Sequence, residues 1–252
     1  MSMAYTIVPV APVRASPSHK AEIVTELLFG ETAVLGEKQG EFYKATCSYD
    51  GYEGWVQDRQ MAINAEGPGS VMVMPIEVKI LLDKTILHLS PGSMLPAGIE
   101  TWSVGPYNFQ VPASSMPLPH APVQPGAESI LKTAQQYMGA SYLWGGKSIF
   151  GLDCSGFTQQ VFKISGIKLR RDAWQQAEQG ALVGSLDEAR PGDLAFFHSE
   201  SGRINHVGIL SSTRTIMHAS ASARHDMIDG NGIMHRELQE YTHKLHMIRR
   251  YL

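Results

Sequence analysis

Two hydrophobic patterns divide the chain. In the first half, apolar and polar residues alternate over short runs broken by glycine, proline and Asp-Gly, the signature of strands and hairpins. The stretch "EFYKATCSYDGYEGWV" places Tyr43, Ala45, Cys47 and Tyr49 on one face, turns at Asp50-Gly51, and resumes at Trp55-Val56. After the turn-rich "NAEGPGS" (64–70), "VMVMPIEVKILLD" and "TILHLSPGSMLPAG" predict a second small β unit. The proline-rich "VPASSMPLPHAPVQPG" then reads as a semi-rigid linker. From Ala127 the period becomes helical. "AESILKTAQQYMG" carries Ile130, Ala134, Tyr137 and Met138 at helical spacing before Gly139. A second helix begins near Cys154, with Phe157, Val161 and Ile164 on its stripe and Gly166 at its end. A third is expected from the N-cap Asp172 to Gly180. The strands "DLAFF", "HVGIL" and "TIMHAS" follow, so the second half is α+β.

The expected division is 1–66 and 67–113 as two β units, 114–126 as linker, and 127–252 as the α+β domain. Composition narrows the partners. The formal charge is −3 over 252 residues, with no basic block, which argues against nucleic acid or an anionic membrane surface. No apolar run is long enough to span a membrane, and the first twenty residues lack the charged and apolar regions of a secretory signal, so the expected location is cytoplasmic. Two distant cysteines do not make a disulfide framework.

Cys154 stands at a helix start, where unpaired N–H groups favour an anion, and Gly156 leaves the first turn open to a substrate. That position favours the thiolate. His206 and His218 lie on two strands joined by the hairpin-sized "SSTRT", which lets both imidazoles share one sheet face. Cys154 as nucleophile, His206 as proton carrier and His218 as its orienting partner form a thiol hydrolase. The same three residues could instead bind zinc, although they lack the close ligand pairs common in zinc sites, or Cys154 could be a buried structural thiol. Of the ten histidines, His198, His225, His235, His243 and His246 read as independent surface residues.

The segments "YLWGGKSIFGLDCSGF", "PGDLAFF", "INHVGIL" and "TIMHAS", in that order, resemble the NlpC/P60 family of cysteine peptidases, which act on bacterial cell-wall peptides. The resemblance covers 127–252. It implies a papain-like α+β domain in which the cysteine helix packs on an antiparallel sheet carrying the histidines. It places the catalytic residues at Cys154, His206 and His218, with Tyr142 at the oxyanion or against the substrate. Trp144 is then the packed aromatic beside Tyr142. "DGYEGWV" and "VRASPSHKAEIVTELLFGE" resemble bacterial SH3-like domains, the segment 67–113 being a divergent second copy.

Relatives of this arrangement hydrolyse the bond from γ-D-glutamate to a diamino acid in murein peptides with a free N-terminal L-alanine. The implied substrate-binding residues are Asp153, Ser155 and Asp172, with Glu22 and Tyr52 from the SH3-like domain; relatives often carry serine where this chain has Ala173. The resemblance implies no metal or other cofactor and a murein-derived peptide as partner; the lack of a secretory signal suggests recycling of imported wall fragments. The alternatives are an N-acetylmuramoyl-L-alanine amidase and an inactive wall-binding module.

Overall fold

The computed structural model describes residues 2–65, 67, 71–115, 123–235 and 238–252. Residues 116–122 of the expected linker, and residues 66 and 68–70 of the turn-rich break before the second β unit, lie outside them. The chain forms two compact units. One is Met1–Pro122 with Trp144–Ser148, the other Val123–Leu143 with Ile149–Leu252.

In the first unit seven strands pair in a single sheet that runs from Ile23–Leu28 through Val10–Arg14, Glu53–Gln57, Phe42–Cys47, Thr32–Gln39 and Ser2–Thr6 to Met61–Ile63. Every strand sends residues to one core that includes Ala4, Val13, Leu27, Leu35, Ala45, Val56 and Met61. A sheet whose two end strands share a core has curled on itself, as in an SH3-like barrel. Cys47 is one of these core residues. The strands Val78–Leu82, Thr85–Leu89, Thr101–Val104 and Tyr107–Gln110 form a further sheet over a second core that Tyr5, Ile7, Phe29 and Ala62 share, where Trp102 stacks on Phe109 with ring centroids 5.4 Å apart.

Trp144–Ser148, assigned from sequence to the C-terminal domain, belongs to this first unit. Two features hold it there. Gly145 has φ +79°, and a Cβ on it would lie 2.1 Å from the Ile23 carbonyl oxygen. Lys147 is buried: its backbone N–H donates to Glu26 Oε2, and its Nζ donates to Glu31 Oε2, both at 2.9 Å.

Among the described residues the second unit contains helices α1 (Ala127–Gln135), α2 (Cys154–Ile164) and α3 (Ala173–Gln176), the short strands Gly151–Leu152 and Ala181–Val183, the latter pairing with residues 248–250, and six further strands. These are β1 (Leu194–His198), β2 (Ile204–Leu210), β3 (Thr215–Ser220), β4 (Ser222–Asp229), β5 (Gly232–Met234) and β6 (Tyr241–Arg250). Each pairs antiparallel with the next, as expected, and β6 pairs with both β5 and β1, so the sheet closes into a barrel. Closure follows from the length of β6: its first residues pair with β5 and its later ones with β1, with a register shift in each ladder. Ala195, Phe197, Leu210, Ile216, Ile228, Ile233 and Ile248 share the interior core. Alternate residues Val207, Ile209, Met217 and Ala219 face outward yet are buried, because α2 packs across β2 and β3. All eleven residues of α2 are buried. The third helix stops at Gln176 instead of running towards Gly180, because Glu178 and Gln179 bond three residues back rather than four. Among the described residues no helix is long and apolar enough to cross a membrane.

Candidate active site

Alternation along β2 and β3 decides where the two histidines point. Leu210 and Ile216 fill the barrel, so His206 and His218, even-numbered like them, face the same interior. Gly208 lies opposite His218, which brings His206 one diagonal step away. His206 Nε2 and His218 Nδ1 are 2.8 Å apart and share a hydrogen bond. Both rings are buried, at 5% and 1% exposure. Because Nε2 of His206 is committed to His218, Nδ1 is the ring nitrogen that this bond leaves for another partner. Cys154 opens α2, which packs on β2, and the backbone of Val207 hydrogen-bonds its sulfur.

The sequence reading missed two members of this cluster. Asp226, 4% exposed, accepts a hydrogen bond from His218 Nε2 at 3.0 Å and one from Arg224 Nη2 at 2.8 Å. Burial alone would raise its carboxyl, but the bonds from His218 and Arg224 hold it well below the usual carboxylate range. The signal was present in "SARHDMID": Asp226 occupies the strand face that Ile228 directs into the core. His243, read from sequence as a surface residue, is half-buried. Its ring stacks on His206, with centroids 4.0 Å apart and planes at 26°. It faces inward because β6 closes the barrel and sets it opposite Ile233.

The electrostatics correct the expectation of a ready thiolate. Burial, then the neighbouring Asp153 carboxylate, push the Cys154 thiol up to about 12, against the opposing pull of the Val207 and Ser155 backbone and of Arg171. Burial likewise takes His206 well below its ordinary value, with His243 and His218 acting in the same direction. A helix start favours an anion by only ~0.3–1 kcal/mol at typical sites, which does not offset full desolvation. Desolvation therefore favours the neutral thiol and the neutral imidazole over a thiolate–imidazolium pair.

Tyr142 is half-buried, and its backbone N–H donates to Ala221 O at 2.9 Å. Burial above all, with the Asp153 carboxylate acting in the same direction, raises its phenol, so it remains a protonated donor. Trp144 is not the packed aromatic expected beside it. Its ring is 61% exposed, and its indole N–H donates to the Glu22 carboxylate within the first unit. Glu22 is itself exposed, and the half-buried Tyr52 ring packs on the barrel core of that unit.

Asp153 is the N-cap of α2: its Oδ1 accepts from the Gly156 N–H at 2.6 Å. It also forms a bidentate pair with Arg171, at 3.0 and 2.7 Å, and Arg171 Nη1 donates to Ser155 Oγ at 2.9 Å. Arg171 is 1% exposed, so the carboxylate beside the nucleophile is balanced by a buried guanidinium that the sequence reading did not identify. Asp172 caps α3 in a box with Gln175, and Ala173 is buried behind it. Among the described residues no group of three or more His, Cys, Asp or Glu side chains is arranged to hold a metal ion.

The NlpC/P60 family model matches residues 139–247, and the model described as bacterial dipeptidyl-peptidase Sh3 domain matches residues 13–61. The chain is 31% identical over 222 residues to the gamma-D-glutamyl-L-lysine dipeptidyl-peptidase of Bacillus subtilis, covering 80% of this chain and 74% of that protein. It is 25% identical over 240 residues to the protein of the same name from Bacillus cereus, covering 81% and 69%. A crystal structure of an NlpC/P60 family protein from Bacillus cereus has the same fold, with a TM-score of 0.80 at 20% identity over 100% of both chains. Likeness of this extent, over both the β-rich and the α+β segments, means that the chain belongs to the NlpC/P60 family of cysteine peptidases.

Proposed function

We propose that this enzyme is a γ-D-glutamyl–diamino-acid peptidase that releases an N-terminal dipeptide from murein-derived peptides. The observation that carries the reading is the similarity over four-fifths of the chain to the Bacillus subtilis dipeptidyl-peptidase, whose name specifies a γ-D-glutamyl-L-lysine bond. The buried His206–His218 pair next to the cysteine helix supplies the chemistry such a bond requires.

The steps follow from the site. As Cys154 Sγ attacks the γ-carbonyl carbon, its proton passes to His206 Nδ1 and a tetrahedral oxyanion forms. The backbone N–H of Cys154, in the first turn of α2 and so without an intrahelical partner, and the protonated Tyr142 hydroxyl are the donors assigned to that oxyanion. His206 then gives the proton to the departing amine, and the C–N bond breaks to leave a thioester. Water adds to the thioester, with His206 again taking a proton and returning it to sulfur. The products are L-Ala-γ-D-Glu and a peptide beginning with the diamino acid.

A dipeptidyl-peptidase counts from a free N-terminus, and L-alanine has none while it is bound to muramic acid. The proposed substrates are accordingly free peptides, which suits recycling rather than remodelling of the intact wall. Mass spectrometry of products from L-Ala-γ-D-Glu-L-Lys and its diaminopimelate counterpart, with the amine free or acetylated, tests this. Cleavage of the glutamyl–diamino-acid bond only when the amine is free is the expected result. Equal cleavage of acetylated peptide, or of intact murein, would refute it.

A further inference from the structure

The hydrogen bonds around His218 run in one direction. Asp226 lies at 4% exposure inside the barrel, where its carboxylate accepts from Arg224 at 2.8 Å and faces His218 Nε2 at 3.0 Å. An ionised carboxylate only accepts, so His218 must carry its proton on Nε2. Its Nδ1 is then a bare lone pair, and the 2.8 Å bond to His206 is made by the proton on His206 Nε2. The second imidazole is fixed by the first, and His206 is left with an unprotonated Nδ1. The opposite orientation would place N–H on that nitrogen and leave Cys154 without a base.

We infer that Asp226 is a positioning residue for the peptidase reaction: through His218 it fixes the tautomers of both histidines, so that His206 presents a bare Nδ1 to Cys154. Arg224 keeps Asp226 ionised and oriented. The arrangement depends on barrel topology. Asp226 sits opposite Ile216 on β3, two residues from His218, on the one face that all three side chains share. Two further rings lie against His206, Phe197 at 5.7 Å and His243 stacked at 4.0 Å; His243 Nδ1 bonds Thr242 Oγ1 at 2.9 Å, and among the described residues His243 makes no hydrogen bond within this relay. The inference rests on His206 being the base for Cys154.

The test reads protons directly. Cys154→Ala full-length protein, labelled with ¹⁵N-histidine, is examined by long-range ¹H–¹⁵N correlation near neutral pH. The expected spectrum shows His218 and His206 each protonated at Nε2 and bare at Nδ1. His218 protonated at Nδ1 would overturn the inference whatever the substrate is. Asp226→Asn, whose amide can donate to His218 Nε2, is expected to lower kcat at least a hundredfold on the free-amine peptide. KM should change by less than threefold, and in the Cys154→Ala background the His218 signals should move towards the Nδ1-protonated form. Asp226→Glu, which keeps the charge, is expected to regain at least tenfold of that loss. Asp226→Asn turning over within threefold of wild type would overturn the assignment. Should the Asn variant not fold, the Cys154→Ala spectrum decides alone. Loss of all turnover in Cys154→Ala tests the nucleophile separately, so failure of one reading is distinguishable from failure of the other.

Discussion

Lys147→Met isolates the buried ion pair that holds Trp144–Ser148 within the first unit. The lysine and Glu31 side chains are 3% and 2% exposed, with Nζ and Oε2 2.9 Å apart. At an effective dielectric of about 20, two unit charges at that distance attract by roughly 6 kcal/mol, part of which repays their desolvation. Methionine nearly preserves the volume of the stem but removes the charge. The backbone bond from residue 147 to Glu26 survives, and Glu31 keeps the Leu28 N–H at 2.8 Å. An N–H does not replace an ammonium, so Glu31 loses its buried cation while staying out of water, at a cost of about 3–5 kcal/mol. That is a large share of the ~5–15 kcal/mol stability of an ordinary domain.

Urea unfolding followed by tryptophan fluorescence is the assay, since Trp55, Trp102 and Trp144 lie in the first unit and only Trp174 in the second. The double variant Lys147→Met/Glu31→Gln, which removes both charges, should recover at least half of the loss. The single variant should also regain stability as pH falls. Without the ammonium, Glu31 would have a folded-state pKa raised above the unfolded value of ~4.3, so protonation on the acid side relieves the buried charge. A loss below 1 kcal/mol at neutral pH, or a double variant no better than the single, would refute the reasoning.

Other expectations follow from the second unit. Burial pushes the Cys154 thiol up to about 12, so inactivation of the free enzyme by iodoacetamide should keep accelerating with pH through 8 and 9; a plateau reached below pH 7 would mean a preformed thiolate. Asp153→Asn removes the bidentate partner of a guanidinium that is 1% exposed and weakens the cap of α2. It should cost about 3–5 kcal/mol, read as a lowered Tm, and a change under 1 kcal/mol would show that Arg171 finds other acceptors. His243→Phe keeps a flat neutral ring beside His206 and should leave kcat within threefold of wild type. His243→Lys sets a cation there and should depress kcat by more than tenfold, because it opposes the proton transfer to His206; equal activity of the two variants would end that account.

The chemistry that depends on short-range order was legible in the chain itself. A cysteine after an N-capping aspartate and before a glycine marks a helix start. Two histidines twelve residues apart on strands joined by a tight turn must be neighbours, because hairpin pairing is local and the period of a strand is two. Helix period and turn residues likewise separated the β-rich half from the α+β half.

What the sequence could not settle depends on elements far apart in the chain. His243 reaches His206 only because β6 returns to close the barrel, and nothing near residue 243 records that closure. Asp226 is bound to His218 by the register of β4 on β3, which places a carboxylate on the core face. Arg171 finds Asp153 from the approach to a different helix, and Lys147 finds Glu31 across 116 residues. Desolvation is also a property of the folded state. It turned the thiolate expected at a helix start into a neutral thiol, because eleven buried residues of α2 exclude the water that would have stabilised the charge. Local pattern therefore singled out the candidate groups, while tertiary packing decided their partners, their protons and their charge.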